Sequence, residues 1–168
     1  GRKLIVINGQ ASEAIEISDT NDSIMFVHAP DSLVSYMGGA SLFVGALGMS
    51  AFEAAAAGVP AVLTAWSSDH KATTEELERN GVAVSIGTWD EFDGAALGST
   101  VHDILRDTDG WAAMSRAGKM LVDGGGAERV AQVIARLVAG ESVMVADTRA
   151  ERVIHAEATL RSRRKGKT

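Results

Sequence analysis

The sequence contains no cysteine. That absence excludes disulfides, thiolate metal sites and a cysteine nucleophile, and it suits a cytoplasmic setting. Proline is nearly as scarce, with 2 residues, and aromatic side chains make up only 5% of the chain. No apolar run approaches the roughly 20 residues needed to span a bilayer, so no transmembrane segment is expected. Basic charge is not in excess: 16 Lys and Arg stand against 22 Asp and Glu, for a formal net charge of -6. Nucleic-acid-binding domains are usually basic, so that class of partner is set aside. His, Asp and Glu show no metal-ligand spacing, and no cofactor is expected. The opening Gly1-Arg2-Lys3 carries neither a signal peptide nor a methionine, as in part of a longer product.

What is present belongs to a globular protein: 168 residues, 46% hydrophobic and 23% charged, enough for one domain with a substantial core. Short apolar runs alternate with helical patterns. Leu4-Ile-Val-Ile-Asn8 reads as a strand buried on both faces. Ala11 to Ile17 reads as a short helix, and Asp19 to Ser23 as a polar turn. Asn21-Asp-Ser23 also fits a glycosylation sequon, but a turn is the simpler reading. Ile24 to His28 forms the second strand, and Pro30-Asp31-Ser32 opens a helix that Gly38-Gly39 closes. Further strands are expected at Leu42–Val44, Ala61–Trp66 and Ala83–Ile86. Ser67 to His70 reads as a loop before a charged helix from about Lys71 to Asn80. Helices follow over Ala95–Arg106, Gly110–Met120 and Ala127–Val138. In the last, Val130, Val133, Ile134 and Leu137 mark one buried stripe. Glu151 to Leu160 is a candidate further helix, and Arg161 to Thr168 a basic tail.

This alternation implies an α/β fold, a Rossmann-like parallel sheet with helices on both faces. The domain is expected over residues 1–140, with 141–168 as a C-terminal extension. Ligands of such sheets bind at the carboxyl ends of the strands. Two segments lie there. One is the turn Gly45-Ala-Leu-Gly-Met-Ser50, the other Ser67 to His70.

The first turn has two readings. In one, Gly45 and Gly48 only supply backbone angles for a tight connection. In the other, N–H groups around Gly48, Met49 and Ser50 cradle a phosphate at the positive end of a helix dipole. No Walker lysine follows, and the full Gly-x-Gly-x-x-Gly pattern is missing. Glu53 is equally two-sided. Ser50-x-x-Glu53 fits a capping box, yet a carboxylate here can also accept hydrogen bonds from a ribose diol. Asp69-His70 reads either as a solvated pair or as a contact to a phosphate or sugar hydroxyl. His28 reads as a partly buried histidine.

The stretch Ala40-Ser-Leu-Phe-Val-Gly-Ala-Leu-Gly-Met-Ser-Ala-Phe-Glu53, with Ala57-Gly-Val-Pro60, resembles the nucleotide-sugar motif of GT-B C-terminal domains. Met114-Ser-x-Ala-Gly118 and Leu121-Val-Asp-Gly-Gly-Gly-Ala-Glu-Arg-Val130 resemble a closing segment of one branch. That branch is the UDP-sugar hydrolase of pseudaminic acid biosynthesis and its spore-coat polysaccharide relatives. MurG-type glucosaminyltransferases are more distant. The likeness covers roughly Leu4 to Leu137.

The resemblance implies the C-terminal, donor half of a GT-B fold. Ala46, Leu47, Gly48, Met49 and Ser50 would hold the diphosphate of a UDP-sugar, and Glu53 the ribose hydroxyls. Asp69 and His70 would face the sugar or phosphates. The implied reaction is cleavage of a UDP-linked amino sugar at its anomeric carbon, with water as acceptor. The alternatives are a glycosyltransferase donor domain, one half of a split glycosyltransferase, and a non-catalytic nucleotide-binding module. Catalytic residues are expected in an N-terminal domain or a separate partner chain, so this chain alone should bind a nucleotide and turn over little. Three departures stand out: Leu47 in place of a glycine, Ser41 in place of an aspartate, and Asp69-His70 in place of an Asn-Gln pair.

Overall fold

The computed structural model describes residues 2–9, 23–147 and 150–154. The chain forms two compact units, Gly1–Leu121 and Val122–Thr168. In the first, β1 (Leu4–Asn8) pairs in parallel with β2 (Ile24–His28). After a single helical turn, α1 (Val34–Met37), the chain enters β3 (Phe43–Ala46), α2 (Met49–Ala57), β4 (Ala61–Ala65), α3 (Ser68–Arg79) and β5 (Ala83–Thr88). A 3-10 turn (Trp89–Glu91) precedes α4 (Gly94–Arg106) and α5 (Thr108–Leu121). Strands β3, β4 and β5 form a parallel sheet in that order. Parallel strands need crossovers, and α2 and α3 provide them. The expected α/β architecture is therefore present.

Strand β4 is the centre of this sheet. All five of its residues are buried. Successive side chains point to opposite faces, so burial at every position means that both faces are covered. Helix α2 follows from composition: its alanines let it lie close to its neighbours, and Ala51, Ala54 and Ala55 are buried. Gly58, at φ 74, ends it in the left-handed conformation, and its N–H donates to the Ala54 and Ala55 carbonyls. Met37, Ala54 and Val59 form a core cluster on which Leu33, Ala40 and Phe43 pack.

Helix α5 is drawn onto α2 at Gly118, which is buried in its last turns. It also reaches the segment before β3: the Trp111 Nε1–H donates to the Ser41 carbonyl at 2.6 Å. Helix α3 is tied to β5 by polar contacts. The Ser85 hydroxyl lies 3.1 Å from that of the fully buried Thr74, and the Ser85 N–H donates to Glu78 Oε1 at 3.1 Å.

The second unit contains α6 (Gly126–Val138) and an antiparallel pair, β6 (Val143–Asp147) with β7 (Ala150–Ile154). Its entry is a local staple. Arg129 Nη1 and Nη2 donate to the two Asp123 carboxylate oxygens at 2.8 and 3.0 Å, and the Gly125 N–H donates to Asp123 Oδ1. The Arg129 hydrogen bonds, followed by the Gly125 amide, hold the Asp123 carboxyl below its ordinary range.

Several expectations from the sequence are corrected. Strand β1 is not buried on both faces, because Leu4 and Ile5 are exposed. Its ladder is separate from the β3–β5 sheet, and among the described residues it pairs with β2 alone. The helix after Pro30 is only one turn long. Strand β3 runs on to Ala46, because Ala46 is in register with Thr64 and the Leu47 N–H donates to the Thr64 carbonyl. The stripe on α6 is not buried: Val130 and Ile134 are exposed, and the helix packs against the short strand β6. Residues 150–154 are strand rather than helix, paired with β6 from Asp147 back to Val143. The helix expected at Ala11–Ile17, most of the Asp19–Ser23 turn and the basic tail lie outside the described residues.

Candidate functional site

The carboxyl edge of the β3–β5 sheet gathers what the sequence singled out. Strands β3 and β4 run in register, Ala46 beside Thr64, so the turns after them emerge side by side. Strand β3 hands over to α2 through Leu47 and Gly48. The Leu47 N–H is spent on Thr64 and the Ala51 N–H on the Gly48 carbonyl, at 3.1 Å. Met49 and Ser50, the first two helical residues, have N–H groups with no partner inside the helix. Gly48 is the N-cap in extended backbone, with no side-chain cap and open space where a Cβ would stand. The helix end is therefore bare and accessible, with its partial positive charge facing outward. Of the five turn residues expected to meet a diphosphate, Gly48, Met49 and Ser50 retain this geometry, whereas the Leu47 amide is committed to the sheet.

The capping box at Ser50 and Glu53 is not formed. Helix α2 begins at Met49 with Gly48 as its N-cap, so Ser50 lies inside the helix instead of capping it. Glu53 is exposed in the second turn, and among the described residues neither hydrogen bond nor ion pair holds its carboxylate. That leaves it free to accept hydrogen bonds from a ligand.

Asp69 and His70 do not lie in a loop. Ser67 caps α3, its Oγ accepting from the His70 N–H at 3.3 Å, so both residues belong to the first turn of the helix. The serine starts the helix three residues earlier than the charge pattern suggested. Both side chains are exposed at the same edge as α2. His28 is exposed at the end of β2, with Nδ1 3.1 Å from Asn8 Oδ1. Ala29 beside it holds φ 46, uncommon for a residue other than glycine.

Sequence reasoning missed the aromatic group at this edge. Trp66 follows β4, and Trp89 and Phe92 follow β5. Ring centroids are 5.2 Å apart for Trp66–Trp89 and 5.4 Å for Trp89–Phe92, all stacked. The signal is the tryptophan directly after each of two strands, but the apolar run Ala61–Trp66 reads as one strand with Trp66 inside it. The turn bearing Trp89 is fixed by a capping box: Glu91 Oε2 accepts from the Thr88 hydroxyl at 3.0 Å and from the Thr88 N–H. The hydroxyl bond, the backbone bond and Lys71 at 3.8 Å together lower the Glu91 pKa below its ordinary 4.5.

A carboxyl with a depressed folded value contributes stability above its ordinary pKa and loses it as pH falls through the lower folded value. Acidification from pH 5 to about pH 3 should therefore loosen the Trp89 turn and change tryptophan emission. Glu91→Gln should remove that step. An identical acid transition in the variant would show that Glu91 does not hold the turn.

No protein-family model and no curated protein matches the chain. Solved structures do. The chain is similar to the glycotransferase of kitacinnamycin, with a TM-score of 0.62 and 24% identity over 80% of this chain and 34% of that one. It is also similar to the spinosyn forosaminyltransferase SpnP, with a TM-score of 0.59 and 15% identity over 79% of this chain and 34% of that one. The chain thus spans about a third of each protein. It has the α/β fold of GT-B glycosyltransferases, with parallel strands flanked by helices. The hydrolase branch expected from the closing segment finds no support in these neighbours. Within that closing segment, Asp123 and Arg129 pair with each other as a local staple. Among the described residues no helix is long and apolar enough to cross a membrane.

Proposed function

We propose that this chain is the nucleotide-sugar donor domain of a GT-B glycosyltransferase, with a UDP-sugar as its ligand. The observation that carries this reading is the uncapped N-terminus of α2 with an unpaired carboxylate, Glu53, one turn behind it. It lies at the carboxyl edge of a parallel sheet, in a fold shared with glycosyltransferases. The Met49 and Ser50 N–H groups donate to the diphosphate, and Glu53 accepts from the ribose hydroxyls. Asp69 and His70 are placed to meet the sugar from the first turn of α3.

In the transfer, the bond between the anomeric carbon and the diphosphate oxygen breaks, and the electron pair leaves with UDP. A hydroxyl of the acceptor forms the new bond and gives up its proton. Charge grows on the departing diphosphate, and the fixed N–H groups and dipole of α2 stabilise it there. The acceptor and the base that takes its proton come from a companion domain or partner chain. The chain alone therefore binds donor without turning it over at an appreciable rate.

Two measurements test this. UDP or a UDP-sugar at a hundredfold excess over its Kd should stabilise the chain by about 2.7 kcal/mol in thermal unfolding. Adenosine nucleotides should do less. No shift with any uridine nucleotide would sink the reading. Glu53→Gln should leave the fold intact, since no group among the described residues leans on that carboxylate, and weaken UDP about tenfold through the loss of charge-assisted hydrogen bonds. Unchanged affinity would remove Glu53 from the site.

A further inference from the structure

We propose that Trp66, backed by Trp89 and Phe92, is the platform on which the pyranose ring of the donor sugar lies. This rests on the nucleotide-sugar reading and names the part of that ligand the aromatic group takes. Trp66 is 61% exposed, Trp89 51% and Phe92 42%, so three large rings stand about half in water. Two of the chain's 3 tryptophans are used this way. Interplanar angles of 28° and 20° layer the rings face to face, with Trp89 between Phe92 and Trp66 and Trp66 at the end of the stack, rather than edge to face.

The backbone builds this surface deliberately. Between Leu63 and Ala65 the β4–β5 register shifts, so that Ala65 faces Thr88. Gly87, at φ 82, takes up the irregularity in a conformation that suits glycine. The shift brings the residues after Ala65 and Thr88 level, and these are Trp66 and Trp89. The Thr88–Glu91 capping box and Lys71 then hold the second ring in place. A platform fixed before the ligand arrives spends little entropy on binding.

Position selects the occupant. Gly48 follows Leu47, which bonds to Thr64, so the turn proposed for the diphosphate and Trp66 leave neighbouring strands about 5 Å apart. A ring one bond from the diphosphate can reach that surface. A pyranose has an apolar C–H face that suits the electron-rich face of tryptophan, and a rim of hydroxyls. The polar side chains Asp69 and His70 follow Trp66 within one helical turn, where that rim would lie.

The test compares UDP with UDP-N-acetylglucosamine by titration calorimetry. Trp66→Leu keeps apolar bulk against Trp89 and removes the flat face. It should weaken UDP-N-acetylglucosamine about five- to tenfold and change UDP by less than about twofold. Trp66→Phe should recover most of the loss. Equal loss for both ligands would mean that the platform takes the uracil base or only supports the fold, and either overturns the proposal. So does unchanged affinity for the sugar nucleotide. If the wild-type chain binds neither ligand, the donor-domain reading itself fails and this one falls with it. Should Trp66→Leu not fold, tryptophan emission of the wild-type chain decides the matter. UDP-N-acetylglucosamine should shift it well beyond the shift with UDP, and equal shifts overturn the proposal.

Discussion

Gly118→Val should destabilise the first unit by about 3 kcal/mol, at the upper end of the usual cost of overpacking. A Cβ at Gly118 would stand 2.8 Å from the Ala55 carbonyl oxygen and 3.2 Å from the Ala55 Cα. These are backbone atoms of α2 and cannot swing aside as a side chain would. Helices α2 and α5 must therefore separate, and the alanine-rich packing that lets them approach is lost. Leaving glycine in a helix recovers less than about 1 kcal/mol, too little to reverse the sign. The urea midpoint should fall at unchanged slope. A midpoint equal to that of the parent would show that the helices part freely. Because α2 carries Met49, Ser50 and Glu53, the milder Gly118→Ala variant should weaken UDP while still folded. That links a contact on the back of the helix to the chemistry at its front.

Leu63→Ala should cost about 3 kcal/mol and lower the Tm by about 10 °C. Leu63 is 0% exposed at the middle of β4, one of the largest fully buried side chains in the molecule. Its backbone is held on both sides, opposite Gly45 of β3 and Ser85 of β5, so the sheet cannot collapse into the space left behind. The cost of such a substitution grows with the cavity that remains. Val130→Ala on the exposed stripe of α6 removes a side chain that is mostly in water, and it should change stability by less than about 0.5 kcal/mol. Similar losses at the two positions would mean that the α6 stripe is covered in solution.

Much of this protein was legible along the chain. The strands at Leu4–Asn8, Ile24–His28 and Ala61–Ala65 follow from short apolar runs, and the helices from Gly94 to Val138 from apolar spacing. Gly58 and Pro60 mark the end of α2 through local backbone chemistry. What failed were statements about partners. The capping box at Ser50 and Glu53 is a correct local pattern that is not used, because the helix already starts at Met49, with Gly48 in extended backbone as its N-cap and Ser50 one residue inside. The stripe on α6 has the right period, but a period says only which side chains share a face. Whether that face is covered depends on what lies opposite.

The sequence by itself determined the α/β class, the order of most elements and the location of the glycine turn before α2, all of which depend on interactions between near neighbours in the chain. Only the tertiary structure decided which amides of that turn stay free, that Glu53 is unpaired, and that Trp66 and Trp89 stand side by side. The Leu47 amide and the tryptophan pair depend on register between separate strands, where one residue of slip changes which groups meet. At this site that register commits the Leu47 amide to the sheet, while the start of α2 at Met49 leaves the Met49 and Ser50 amides open.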